Sequence, residues 1–170
     1  MTPIEDHYSA LPSHLGFAVL TVSDSREPGT DLGGDRLVAL IAASGHRVAG
    51  RELVRDVLHD IRDAARGALG HPTVDILLAT GGTGVSPRDV TVEALVPLFT
   101  KELPGFGDIF RALSYAEIGP AAMLSRATAG VVEGKAIFLL PGSPAAIELA
   151  MTRLILPEIA HLLAQARRPG

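Results

Sequence analysis

The sequence predicts an α/β fold built on a mostly parallel sheet, with a small antiparallel hairpin towards the C-terminus. Strand-length apolar runs alternate with helix-length amphipathic stretches. Leu15–Val22 and Val74–Ala79 are almost uninterrupted in apolar character, the pattern of strands covered on both faces. A glycine-rich turn, Thr80-Gly81-Gly82-Thr83-Gly84, then leads from the second run towards a helix.

In chain order, residues 1–14 read as a flexible extension and residues 15–170 as one domain. Leu15–Val22 is the first strand, and Ser23–Gly34 is a loop rich in Asp, Gly and Pro. Asp35–Ser44 carries Leu37, Leu40 and Ile41 on one stripe and is stopped by Gly45, so it reads as a helix. His46–Leu53 is a second strand, and Val57–Leu69 a helix with Asp56 placed as its cap. The third strand and the glycine turn follow, then a helix over Val92–Phe99. Leu103-Pro104-Gly105-Phe106-Gly107 reads as a turn and Asp108–Tyr115 as a helix. Ala127–Val132 and Ala136–Leu140 are strands joined through Glu133-Gly134-Lys135. Ser143 is placed as the cap of the last helix and Pro144 in its first turn; that helix runs to about Ala166, with Pro157 kinking or breaking it.

Composition narrows the function. The chain has 170 residues, 47% hydrophobic and 4% aromatic with no Trp, so its core rests on aliphatic side chains. A net charge of −4 and a pI near 5.8 argue against general nucleic-acid or anionic-membrane binding. Cysteine is absent, which excludes disulfides, thiolate metal sites and cysteine nucleophiles. The polar first fourteen residues lack a signal-peptide core, and the apolar runs fall well short of the ~20 residues that span a bilayer. A cytoplasmic location is expected.

Glycine-rich turns between strand and helix suit anionic ligands, because the backbone comes close and its N–H groups point outward. The bland alternative is a tight connection and no more. This turn is not a Walker loop, since no lysine follows Gly84, and Pro87 occupies the place where a dinucleotide fingerprint has a small residue. In a parallel sheet ligands gather at the carboxyl ends of the strands. Those ends bring Ser23, Asp24 and Asp31, then Asp56, then Thr80 to Gly84 with Asp89, and finally Pro141, Gly142 and Ser143 towards one cleft. Each acid also has a quieter role, as a turn former or helix cap. Ser125 and Arg126 precede a strand, and Arg126 could meet a phosphate or form a surface ion pair. Acids beside phosphate-cradling amides fit magnesium-assisted nucleotidyl transfer. The histidines (His7, His14, His46, His59, His71 and His161) lack metal-ligand spacing.

Six ordered motifs, Thr21-Val22-Ser23-Asp24, Thr80 to Gly84, Arg88-Asp89-Val90-Thr91, Pro104-Gly105-Phe106, Leu124-Ser125-Arg126 and Leu140-Pro141-Gly142-Ser143, resemble the MoaB/MogA family of molybdenum cofactor biosynthesis. The likeness runs from about Leu15 to Ala160 and looks closer to MoaB than to MogA. It implies a three-layer α/β/α sandwich assembling as a homotrimer or homohexamer. The implied reaction is adenylylation of molybdopterin by Mg-ATP with release of pyrophosphate, the product passing to the molybdate-insertion enzyme; a catalytically silent molybdopterin carrier is the alternative. By motif, Asp56 and Asp89 match the family's functional acids and would hold Mg²⁺. Ser23, Gly81, Gly82, Thr83, Gly84, Ser125, Pro141, Gly142 and Ser143 match positions of its nucleotide and pterin-phosphate cleft. The Val-Arg-Asp-Val context of Asp56 departs from the family pattern, whereas the run Arg88 to Thr91 is complete.

Overall fold

The computed structural model describes residues 14–168. Apart from His14, the expected extension lies outside the described residues. The elements are β1 (Gly16–Val22), α1 (Leu32–Ala43), β2 (Arg47–Val54), α2 (Leu58–Gly70), β3 (Ile76–Thr80), α3 (Thr91–Leu95), β4 (Lys101–Glu102), α4 (Pro104–Ile118), β5 (Thr128–Val132), β6 (Lys135–Leu140), α5 (Pro144–Ala150) and α6 (Leu156–Ala166). Six strands form one sheet in the order β2-β1-β3-β6-β5-β4. The first four are parallel, with Thr21 opposite Thr80 and Thr80 opposite Leu140 at their carboxyl ends. β5 and β4 extend the sheet in antiparallel pairing. The expected sheet and hairpin are both present.

Alternation along the strands divides the interior into two layers. Phe17, Val19, Ile76, Leu78, Phe138 and Leu140 pack against α1, α4, α5 and α6. Ala18, Leu20, Val22, Leu77, Ala79, Ile137 and Leu139 face α2 and α3. Apolar residues therefore line both faces of the central strands, which is why those strands read as unbroken apolar runs.

Four boundaries differ from expectation. α1 begins at Leu32 because Asp31, not a later residue, caps it: its Oδ1 accepts the Gly34 N–H at 3.0 Å. α2 is capped by Val57, which makes no side-chain bond, so Asp56 is left free of that duty. The segment from Pro104 is helix rather than turn, because proline at the first helical position costs no hydrogen bond and Gly107 lets α4 approach β5. A side chain at Gly107 would stand 2.5 Å from the Ala127 carbonyl oxygen. Finally, α3 is short and ends in a 3₁₀ turn over Val96–Leu98, so the helix expected through Phe99 is broken at Pro97.

Ser143 caps α5 through the Ala146 N–H, as expected. The break expected near Pro157 takes the form of a π turn over Met151–Ile155. Proline cannot donate to the Arg153 carbonyl and its ring crowds it, and a widened turn relieves both problems.

Candidate active site

The β1–β2 and β2–β3 crossovers lie on opposite faces of the sheet, so the loops leaving β1 and β3 diverge between them. A crevice at such a switch point is where open α/β sheets bind ligands. Here it is a cleft of about 500 Å³, walled by the loops after β1, β2, β3 and β6 and by Ser125. A roomier groove of about 770 Å³ runs beside β2 and α2 and has none of the glycine turn in its lining.

The glycine turn forms the floor. Gly81 and Gly82 have φ of 98° and 64°, left-handed values that suit glycine. A Cβ on Gly81 would lie 2.2 Å from the Val22 carbonyl oxygen, and one on Gly82 would lie 2.8 Å from Asp56 Oδ1. The turn is pinned at its edges. Gly81 N–H donates to the Leu140 carbonyl at 3.0 Å, Thr80 Oγ1 to the Pro141 carbonyl at 2.9 Å, and Thr91 Oγ1 to the Gly81 carbonyl at 2.7 Å. Among the described residues no acceptor meets the N–H groups of Gly82, Thr83 or Gly84. A concave run of free amides is an anion cradle.

Three carboxylates converge beside it. Asp24 Oδ1 accepts the Asp56 N–H at 3.1 Å, and its other oxygen pairs with Arg88. Asp89 Oδ2 accepts the Ser86 N–H at 2.9 Å rather than capping α3. Asp56 Oδ1 is buried with no hydrogen-bond partner among the described residues. Burial first, then the charges of Asp24 and Asp89, push the Asp56 carboxyl above its ordinary range. A buried carboxylate oxygen without a donor is costly unless a ligand or cation completes it. Among the described residues no group of three or more acids or histidines stands ready to hold a metal ion unaided. Magnesium, however, commonly takes only one or two carboxylates, with phosphate and water oxygens completing its shell.

Of the residues expected at the cleft, Ser23, Asp24, Asp56, Gly81 to Gly84, Asp89, Ser125, Pro141 and Gly142 line it together. Thr80 and Ser143 stand behind its wall, as strand tether and helix cap. Asp31 does not line the cleft: it is 1% exposed, accepting Thr21 Oγ1 at 2.7 Å and Arg51 at 2.9 Å besides capping α1. Burial alone would raise its carboxyl, but the bonds from Gly34, Thr21 and Arg51 hold it below the ordinary value. Of the two roles open to Arg126, the structure shows the ion pair. Its Nε donates to the Gly84 carbonyl at 2.8 Å, its Nη2 to the Asp89 carbonyl at 3.0 Å, and it pairs with Glu93, so it clamps the glycine loop from outside the cleft.

Arg26 and Arg88, which sequence reasoning did not single out, also line the cleft. Position offered a clue for Arg26, three residues beyond Ser23, whose Oγ accepts the Arg26 N–H at 3.2 Å. Arg88 lies inside the motif that ends in Asp89, but its distant partner Asp24 is visible only in three dimensions.

A profile described as "Probable molybdopterin binding domain" matches residues 18–161. Molybdenum cofactor biosynthesis protein B of Bacillus subtilis (strain 168) is 44% identical over 166 residues, covering 97% of this chain and 98% of that one. The chain belongs to the MoaB/MogA family of molybdenum cofactor biosynthesis proteins. A crystal structure of a molybdenum cofactor biosynthesis protein B matches it with a TM-score of 0.90 at 42% identity, over 94% of this chain and 99% of that chain. The tungsten cofactor synthesizing protein MoaB from Pyrococcus furiosus matches with a TM-score of 0.83 at 34% identity, over 93% and 100% of the two chains. Like the MoaB structures, this chain is one mixed sheet covered by helices on both sides. No described helix is long and apolar enough to cross a membrane.

Proposed function

We propose that this MoaB/MogA-family chain acts in molybdenum cofactor biosynthesis by transferring adenylate from ATP to molybdopterin. The observation that carries the reading is that the free glycine-turn amides share one cleft with the unpartnered Asp56 oxygen and Asp89. One wall of the cleft offers N–H donors to phosphate, and the other offers carboxylates that need a cation.

The cavity fits magnesium delivered with a nucleotide: Asp56 and Asp89 would hold the ion, which when bound neutralises phosphate charge and polarises the phosphorus. The amides of Gly82, Thr83 and Gly84 grip phosphate oxygens at a site kept open by the lack of side chains at Gly82 and Gly84. The attacking group is a phosphate oxygen of molybdopterin, already anionic near neutral pH, so the chain need not supply a strong base. An oxygen–phosphorus bond forms at the α-phosphate while the bond to the pyrophosphate breaks, and pyrophosphate leaves with the electron pair. Alignment and charge compensation are then the protein's contribution.

The test is to incubate the protein with molybdopterin and Mg-ATP and follow adenylylated pterin by mass spectrometry. Adenylate with equimolar pyrophosphate is expected. Asp89→Asn should fold normally yet lose at least about 100-fold in turnover, the scale of a lost electrostatic stabiliser. Molybdopterin retained without adenylate would replace the transferase with a silent carrier.

A further inference from the structure

We propose that Arg26 receives the phosphate monoester of the pterin substrate, setting it apart from the nucleotide phosphates at the other end of the cleft. This assignment rests on the adenylyl-transfer reading and adds the residue that recognises the attacking group.

The argument begins with the cations near the cleft. Arg88 is paired with Asp24 across the mouth and is largely exposed. Arg126 gives its donors to the Gly84 and Asp89 carbonyls and to Glu93. Arg51 binds Asp31 at 2.9 Å and Asp35 at 2.8 Å. Arg26 differs from all of these. Its Nη2 donates to the Gly142 carbonyl at 3.2 Å, but its nearest carboxylate oxygen, Asp31 Oδ1, stands 3.7 Å away. That distance gives Coulomb attraction without a hydrogen bond. Asp31 is already committed to Thr21, Gly34 and Arg51. Among the described residues, the other guanidinium N–H groups of Arg26 meet no acceptor.

The guanidinium is also held in place. Asp31 is buried and fixed by three donors, and it anchors Arg26 from behind as the Gly142 carbonyl anchors it from the side. Gly33 leaves room for this, since a Cβ there would stand 3.1 Å from Arg26 Nη1 and 3.0 Å from the Gly142 oxygen. A pre-positioned fork with spare donors is the arrangement that binds phosphate in bidentate fashion.

Position decides which phosphate. Asp56 and Asp89 stand beside Gly82 and Gly84, so a cation-bound polyphosphate belongs at that end. Arg26 stands beside Gly142, which packs on Gly81 at the start of the turn. A dianion arriving without a metal needs a fixed positive partner other than the metal site of Asp24, Asp56 and Asp89, and Arg26, whose nearest carboxylate is the buried Asp31 already held by three donors, supplies it.

The test measures binding without turnover. Purified molybdopterin, its enzymatically dephosphorylated form and ATP with magnesium are each titrated into the wild-type protein, Arg26→Gln and Arg26→Lys. Matching melting curves check the fold. Arg26→Gln should weaken molybdopterin about 10- to 100-fold, the scale of a lost charge-assisted bond. It should leave the dephosphorylated pterin and ATP within about twofold of wild type; Arg26→Lys, keeping charge without the fork, should fall between. Equal weakening of both pterins would make Arg26 structural, and weakening of ATP alone would move it to the nucleotide; either overturns the assignment. A wild-type protein that binds neither pterin overturns the parent reading instead.

Discussion

At Asp56 a single carboxylate oxygen is kept from water without a hydrogen-bond donor, beside two further acids. Such a group opposes folding when ionised, and the sign can be followed through pH. Its folded-state pKa is raised above the ordinary 3.8, so the folded state holds the proton more tightly than the unfolded chain does. Stability contributed by the protonated form is lost as pH rises through that raised pKa. Asp56→Asn should therefore melt higher than wild type at pH 7.5, and the difference should shrink towards zero as pH falls towards 3.8. Thermal melts across that range test it, and an asparagine variant that is less stable at pH 7.5 would show that the oxygen is satisfied after all. Sequence could place Asp56 at a strand end but could not distinguish a helix cap from an orphan, because the choice rests on whether Val57 or Asp56 begins the helix. The partners of Asp31 are hidden from the sequence for a related reason. Thr21 and Arg51 lie ten residues before and twenty after it, on two neighbouring strands, and nothing local announces them.

Elements with both faces or one clear stripe buried were legible; those defined by closeness to another element were not. β1, β3 and β6 announce themselves by apolar continuity. β4 is two residues long, exists only because Lys101 and Glu102 pair with β5, and has no pattern of its own. Pro-Gly-Phe-Gly at the start of α4 carries turn residues, yet tertiary packing overrides that local preference. The glycine turn was legible as a turn, and its geometry yields a sharper expectation. Gly82→Ala forces a side chain into left-handed backbone and to 2.4 Å from Thr91 Oγ1. A loss of about 2 kcal/mol in unfolding free energy is expected in denaturant titrations, with adenylate formation reduced more than tenfold. At the β5–β6 hairpin the same physics runs the other way. Glu133 holds φ of 49° and Gly134 of 77°, the paired positive values of a tight hairpin turn. Asparagine tolerates that backbone better than glutamate, so Glu133→Asn should stabilise the chain by about 0.5 kcal/mol in the same titration. No gain would mean that the surrounding loop, rather than the turn residue, sets this geometry.

Across the whole molecule, the topology that creates the cleft also couples it to global stability. β1 and β3 lie inside the parallel set, the β1–β2 and β2–β3 crossovers fall on opposite faces, and the cleft opens where the loops leaving β1 and β3 part. A ligand there touches loops rooted in β1, β2, β3 and β6 and bridges elements that pack into both core layers. Binding must then be reported by the unfolding of the entire domain rather than by one loop. At a nucleotide concentration of about 100 times its Kd, the linkage is worth about 2.7 kcal/mol. For a chain of this size that corresponds to an upward Tm shift of roughly 5–10 °C. Mg-ATP should produce the shift. ATP with excess chelator should produce much less, because Asp24, Asp56 and Asp89 then face the polyphosphate as like charges. In Asp89→Asn the gap between the two conditions should narrow, since one of the repelling carboxylates is gone while the free amides remain. Equal shifts with and without chelator in the wild-type protein would remove the metal from the reading and leave the amide cradle as the whole of the nucleotide site.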